Sequence, residues 1–161
     1  MKRFIAFYFL FLAILFILFY ADTNPLSAYI NDAQTSLTLA LLKLFLEPSQ
    51  LKGIDIWINP YYKIIINHSC NAMIPILFLF AAILAYPSSL GYKFVWMLMG
   101  YLIFSLVNVL RILLVVYFVE QEGGRGNFYW SHDFLGNAIL MVVGLSLFIL
   151  FIKTSRGSKP L

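Results

Sequence analysis

Cys70 is the only cysteine of the chain, and it stands at the mouth of an uncharged apolar run that extends to Tyr86. One thiol excludes an internal disulfide and a multi-cysteine metal cluster, which leaves a small buried hydrophobe, an intermolecular partner or a nucleophile. A thiol becomes a nucleophile when its thiolate is stabilised by a helix N-terminus and a nearby cation. Cys70, at or just before the first turn of an apolar helix, meets the first condition. Arg111, the one charge within a later apolar run, is the candidate for the second. An arginine inside a membrane helix costs about 2.5–3.5 kcal/mol on insertion scales, so it is expected to face a polar interior or a partner. Tyr101, Ser105, Asn108 and Arg111 are spaced four, three and three apart, which puts them on one helix face. Snorkelling of Arg111 to the headgroups is the plainer alternative, but it gives no reason for Asn108 and Ser105 beneath it.

Acid–base work needs a group that titrates near neutrality, and the two histidines are the candidates. His132 opens the last apolar run as Cys70 opens the second. His68 lies two residues before the thiol and shares its strand face if residues 61–69 are extended. Beside Trp130, His132 is equally readable as an interfacial anchor. Backbone amides at Asn71 and Ala72, or the Arg111 guanidinium, are the candidate oxyanion donors. The set Cys70, Arg111 and His132, with Asn108, Asn71 and His68 in support, has the parts for acyl transfer through a thioester. One cysteine and two histidines form no closed ligand set, so no metal or organic cofactor is expected.

These residues have to be held by a membrane. The chain is 62% hydrophobic and 11% charged over 161 residues, a balance that a soluble domain would carry only with large exposed apolar patches. The fold class is therefore an all-α integral membrane protein, a single membrane domain over residues 1–161. Its apolar runs predict four spans near residues 4–20, 70–86, 94–119 and 134–152. The first shares a basic start and apolar core with signal peptides. It is long for one, and Ala21-Asp22-Thr23-Asn24-Pro25 is a poor cleavage site, so it reads as a retained anchor. Pro75 falls in or near the first turn of its helix, where its missing N–H has no partner to lose. Residues 32–46 carry a leucine-rich helical pattern whose uncharged stretch is too short to cross unaided, which predicts an interfacial helix. Residues 54–59 and 61–66, around Asn59-Pro60, predict a small β-hairpin that delivers the chain to Cys70.

With four spans both termini share a side. Lys2, Arg3, Lys93, Lys153, Arg156 and Lys159 gather there without an acid, whereas Asp22, Asp32, Glu47, Asp55, Glu120, Glu122 and Asp133 all fall opposite. The positive-inside rule makes the basic side cytoplasmic and the segments 21–69 and 120–133 extracytoplasmic, in a multi-pass protein of the cytoplasmic membrane. Cys70, Arg111 and His132 then belong to the outer half. A crossing at residues 32–46 would turn Cys70 to the cytoplasm instead. Scattered near helix ends rather than gathered in a stripe, the basic residues give no nucleic-acid surface.

Three blocks carry a family resemblance. Ser69-Cys70-Asn71-Ala72 before an apolar helix, Asn108-Val109-Leu110-Arg111-Ile112 inside the next, and His132-Asp133-Phe134-Leu135-Gly136-Asn137 opening the one after resemble, in order and position, the signature blocks of the exosortase/archaeosortase family. The resemblance covers roughly residues 50–145. It implies a membrane cysteine peptidase/transpeptidase that recognises a C-terminal sorting tail on secreted proteins, cleaves it and transfers the new C-terminus to an acceptor. Cys70 would be the nucleophile, His132 the acid/base and Arg111 the partner of the thiolate or transition state. The family often has a Cys-Ser-Gly pattern where this chain has Cys70-Asn71-Ala72, and many members have more spans. The implied partners are secreted proteins with a C-terminal sorting signal, membrane lipid and an acceptor that the sequence does not name. The rival from another class is a non-catalytic assembly or scaffold subunit of an exopolysaccharide or secretion system, using the polar stripe to bind a partner helix. A small transporter is weaker, since the midplane lacks paired broken helices and charges.

Overall fold

The computed structural model describes residues 2–21, 24–67, 70–122 and 136–155. Their regular elements are the helices α1 (Lys2–Phe19), α2 (Pro25–Leu42), α3 (Met73–Ala85), α4 (Leu90–Glu122) and α5 (Asn137–Ser155), with the strands β1 (Leu51–Lys52), β2 (Asp55–Asn59) and β3 (Tyr62–Ile65) between α2 and α3. Among the described residues α1, α4 and α5 are long and apolar enough to cross a membrane, and α3 is a shorter apolar helix.

Local chemistry sets the element ends. α2 begins at Pro25, well before the leucine pattern at 32–46, because Asn24 caps it: the Asn24 side-chain oxygen accepts from the Leu26 N–H at 3.0 Å, and Pro25 takes the first helical position. Pro75 sits in the first turn of α3, where it removes no helical hydrogen bond. The hairpin expected at 54–66 is present as β2–β3, and β1 extends it to a three-stranded antiparallel sheet in the order β1-β2-β3. Gly53, with φ 64°, closes the turn between β1 and β2 in a conformation that glycine adopts without strain.

Side-chain contacts identify which helix ends lie together. The Tyr92 hydroxyl donates to the Phe151 carbonyl at 3.0 Å and meets the Thr154 hydroxyl, Lys93 Nζ donates to the Leu84 carbonyl at 2.8 Å, and Phe4 stacks on Phe148 with centroids 6.2 Å apart. The starts of α1 and α4 and the ends of α3 and α5 therefore share one end of the bundle, which carries Lys2, Lys93 and Lys153. At the opposite end the sheet packs Ile56, Ile64 and Ile66 onto Val115, Val116 and Val119 in the second half of α4. α2 lies toward that end. Asn24 and Asn31 donate to the Leu18 and Phe19 carbonyls at the close of α1, at 3.3 and 2.9 Å, and Leu42 joins the cluster on the second half of α4.

α3 is the short member. Its 13 residues rise about 20 Å, against a hydrocarbon core of about 30 Å. With its last turn level with the basic ends of α4 and α5, its first turn falls about 10 Å below the far boundary. The connection at residues 70–72 is buried, with Cys70, Asn71 and Ala72 at 6%, 0% and 4% exposure, so its backbone groups need partners inside the protein. α2 supplies several of them. Ser27, Asn31, Gln34 and Thr38 form a buried polar stripe along it. Gln34 Nε2 donates to the Asn71 carbonyl and to Ser105 Oγ, both at 3.2 Å, while its Oε1 accepts from the Tyr101 hydroxyl. Asn71 Nδ2 donates to Asn31 Oδ1 at 3.0 Å.

Gln34→Leu strands the Asn71 carbonyl in a buried site and removes one partner of the half-buried Tyr101 hydroxyl, and is expected to destabilise the protein by about 1–3 kcal/mol. The Thr38 hydroxyl bonds back to the Gln34 carbonyl within its own helix, at 3.0 Å. Thr38→Val is therefore expected to cost under about 1 kcal/mol. Thermal midpoints of the two variants in detergent check this; a Gln34→Leu midpoint equal to the parent's contradicts the role given to α2.

Candidate active site

Cys70 sits in the short connection from β3 to α3, its backbone held on one side by its own turn and on the other by α4. Its N–H donates to the Asn67 carbonyl at 2.9 Å, and its carbonyl accepts from Asn108 Nδ2 on α4 at 2.7 Å. Its side chain is 6% exposed and packs into the apolar cluster beneath the sheet, with Sγ 4.0 Å from the Ile65 carbonyl oxygen. Asn108 presents its other atom, Oδ1, to Arg111 Nη1 at 3.4 Å. A single amide side chain thus links the backbone of the cysteine to the guanidinium.

The next two residues make the turn into α3. Asn71 Oδ1 accepts from the Met73 N–H at 3.0 Å, capping the helix from one residue before the usual cap position. Ala72 has φ 57° and ψ 17°, the left-handed region that costs a residue with a Cβ about 1–2 kcal/mol. The glycine of a Cys-Ser-Gly pattern would fall at this position. The Cys70 and Asn71 carbonyls are drawn to Asn108 and Gln34, and in a planar trans peptide the N–H points opposite to its C=O. The Asn71 and Ala72 amides are consequently directed away from those side chains, and among the described residues neither donates a hydrogen bond.

Arg111, 3% exposed, lines a cavity of about 760 Å³ between α3 and α5. Phe78, Leu79, Leu140, Leu145 and Phe148 form apolar walls, and Ala72, Arg111 and Asn137 lie at the end where α3 and α5 begin. Phe78, Met141 and Leu145 are exposed at its rim, so the cavity opens sideways, toward the region that lipid chains occupy. Gly136 makes room for the arginine. A Cβ there would fall 2.5 Å from Arg111 Nε and 3.1 Å from its Cδ and Cγ.

The structure brings together Cys70, Asn71, Asn108 and Arg111. His68 and His132 lie outside the described residues. The amide clamp from α2 is a part of the site that the sequence does not single out. Ser27, Asn31, Gln34 and Thr38 are spaced four, three and four apart, the same helical signal that picks out 101, 105, 108 and 111, but the leucines interleaved with them dominate the pattern.

Two substitutions probe this geometry through stability. Ala72→Gly relieves the left-handed strain and gives part of it back as unfolded-chain entropy, so a net gain of about 0.5–1 kcal/mol is expected. Gly136→Ala overpacks against Arg111 and is expected to lose about 1–3 kcal/mol. Thermal unfolding in detergent reads both, and a loss for Ala72→Gly would contradict the turn described.

A family model described as transmembrane exosortase matches residues 1–151 of the chain. No curated protein and no solved structure gives a match.

Proposed function

The chain belongs to the transmembrane exosortase family, and from that premise we propose that it is a cysteine peptidase/transpeptidase of the cytoplasmic membrane. It removes a C-terminal sorting tail from secreted proteins on the extracytoplasmic side and passes the new C-terminus to an acceptor. The observation that most supports this reading is Asn108, bonded to the Cys70 carbonyl on one side and to Arg111 on the other. A cysteine kept for packing alone needs no guanidinium at membrane depth, where its insertion costs about 2.5–3.5 kcal/mol. The orientation is supported by the basic residues Lys2, Lys93 and Lys153 at the end of the bundle opposite the site.

In the proposed reaction the Cys70 thiolate attacks the scissile carbonyl carbon, forming a C–S bond while the carbonyl oxygen gains the negative charge. In this reading Arg111 and the Ala72 amide are the donors that stabilise that charge. His132, assigned from the resemblance, gives its proton to the departing nitrogen; the C–N bond breaks and the tail leaves as an amine. The thioester then meets an acceptor amine, hydroxyl or water. His132 takes the acceptor's proton, the new bond forms, and Cys70 departs as thiolate. The apolar part of the tail occupies the cavity between α3 and α5 during both steps.

The test uses a secreted reporter that carries the tail of a protein from the same genome ending in a short motif, an apolar helix and basic residues. Cys70→Ala and His132→Ala are expected to abolish its cleavage in cells, and Arg111→Ala to slow it about 10²–10³-fold. Normal cleavage by Cys70→Ala at equal expression refutes the enzyme and favours a scaffold subunit.

A further inference from the structure

We propose that the outer edge of β3 is the docking strand for the substrate, whose extended chain adds to the sheet and so carries the bond to be cut to Cys70. The inference rests on Cys70 being the nucleophile, as set out above.

The hydrogen-bond ladder shows which backbone groups are in use. The Ile66 N–H donates to the Ile54 carbonyl at 2.8 Å, and the register continues through Asp55 opposite Ile65, Ile56 opposite Ile64 and Trp57 opposite Lys63. In an antiparallel ladder, residues that exchange hydrogen bonds alternate with residues that do not. Ile64 and Ile66 therefore turn both backbone groups toward β2, and Lys63 and Ile65 turn both away from it. The same alternation sends the Trp57 N–H to the Gln50 carbonyl at 2.7 Å, so the chain around β1 occupies the far edge of β2. Among the described residues no strand pairs with the outer edge of β3. Cys70 Sγ lies 4.0 Å from the Ile65 oxygen, one of the outward groups. The thiol stands in line with the row of donors and acceptors that another strand would use.

The chemistry of that row selects its occupant. Outward groups recurring every second residue, about 6.7 Å apart, match an extended polypeptide. On the sheet face turned away from α4, Ile65 is half-exposed, offering an apolar neighbour to the side chains of an added strand. The thiol faces the sheet, whereas Arg111 and Ala72 face the cavity. A chain laid along β3 meets the sulfur as it passes Ile65 and then continues past Ala72 into the cavity.

Proline tests the edge directly. At Lys63 or Ile65 it removes an outward N–H and leaves the β2–β3 ladder intact, a substitution that edge strands tolerate. Lys63→Pro and Ile65→Pro are expected to lower reporter cleavage in cells about tenfold or more, with parental thermal midpoints, whereas Lys63→Ala and Ile65→Ala, which keep the outward N–H, lose less than the proline variant at the same position. Parental cleavage by both proline variants overturns the proposal. If proline lowers the midpoint, disulfide trapping decides. Lys63→Cys on a Cys70→Ala background is oxidised in membranes with the same reporter, bearing single cysteines one at a time on the amino side of its apolar tail. Cross-strand Cβ atoms lie about 4.5–5.5 Å apart and alternate faces, so adducts are expected at every second position. Adducts at no position, or equally at all, overturn the proposal. Cleavage that persists in Cys70→Ala alone would instead remove the nucleophile, an outcome the trapping pattern does not depend on.

Discussion

The length of α3 is the constraint on which the rest depends. A helix about 10 Å shorter than the hydrocarbon core leaves three non-helical residues buried among its neighbours, where backbone groups have to find partners within the protein. An unsatisfied carbonyl there costs several kcal/mol, so the fold has to bring donors to it. Asn108 reaches the Cys70 carbonyl from α4, and Gln34 reaches the Asn71 carbonyl from α2. The polar faces of both helices are accounted for by this need. α2 is buried along Ser27, Asn31, Gln34 and Thr38 because its partners at the head of α3 and on α4 are polar, and it lies at one end of the bundle because that is where α3 stops short.

The same shortfall makes room for chemistry. A full-length helix would have carried its amides into intrahelical bonds and its first residues to the headgroups. Stopping early leaves the Asn71 and Ala72 amides directed away from the side chains that hold the preceding carbonyls, and leaves Ala72 and Arg111 together at the closed end of the cavity. The left-handed Ala72 is part of that arrangement. Strain of this kind persists where surrounding contacts over-determine the backbone, and here Asn31, Gln34 and Asn108 hold the two residues before it.

What the sequence made legible follows from periodicity. Residues 101, 105, 108 and 111 share a face by spacing alone, and the structure buries Ser105, Asn108 and Arg111. The apolar runs and the paucity of charge led to the membrane helices, and the alternation around Asn59-Pro60 to β2 and β3. The failures have equally local causes. β1 is two residues long, too short for an alternation to be counted. The true start of α2 was signalled by Asn24-Pro25, a cap followed by a first-turn proline, yet the stronger leucine repeat lies further on. The left-handed turn at Ala72 is invisible in residue type, since alanine favours helix and carries no mark of positive φ. That Gln34 and Asn71 meet, 37 residues apart in the chain, is a tertiary fact with no local signal.

The two sides of the turn at 70–72 divide the proposed work. Toward the sheet lies sulfur, in an apolar cluster with a strand edge beside it; toward α5 lie the guanidinium and the walls of the cavity. A substrate that must touch both cannot be helical throughout, because a helix bonds its own N–H and C=O groups and has none to offer a strand edge. Nor can it be extended throughout, since the cavity opens toward lipid and an extended chain there would expose unpaired backbone. The chain that suits this site is extended where it passes β3 and helical where it enters the membrane, with the change falling near Cys70. On the proposed reading the scissile bond would fall where a helix can no longer continue, a property of backbone hydrogen bonding before it is one of any side chain.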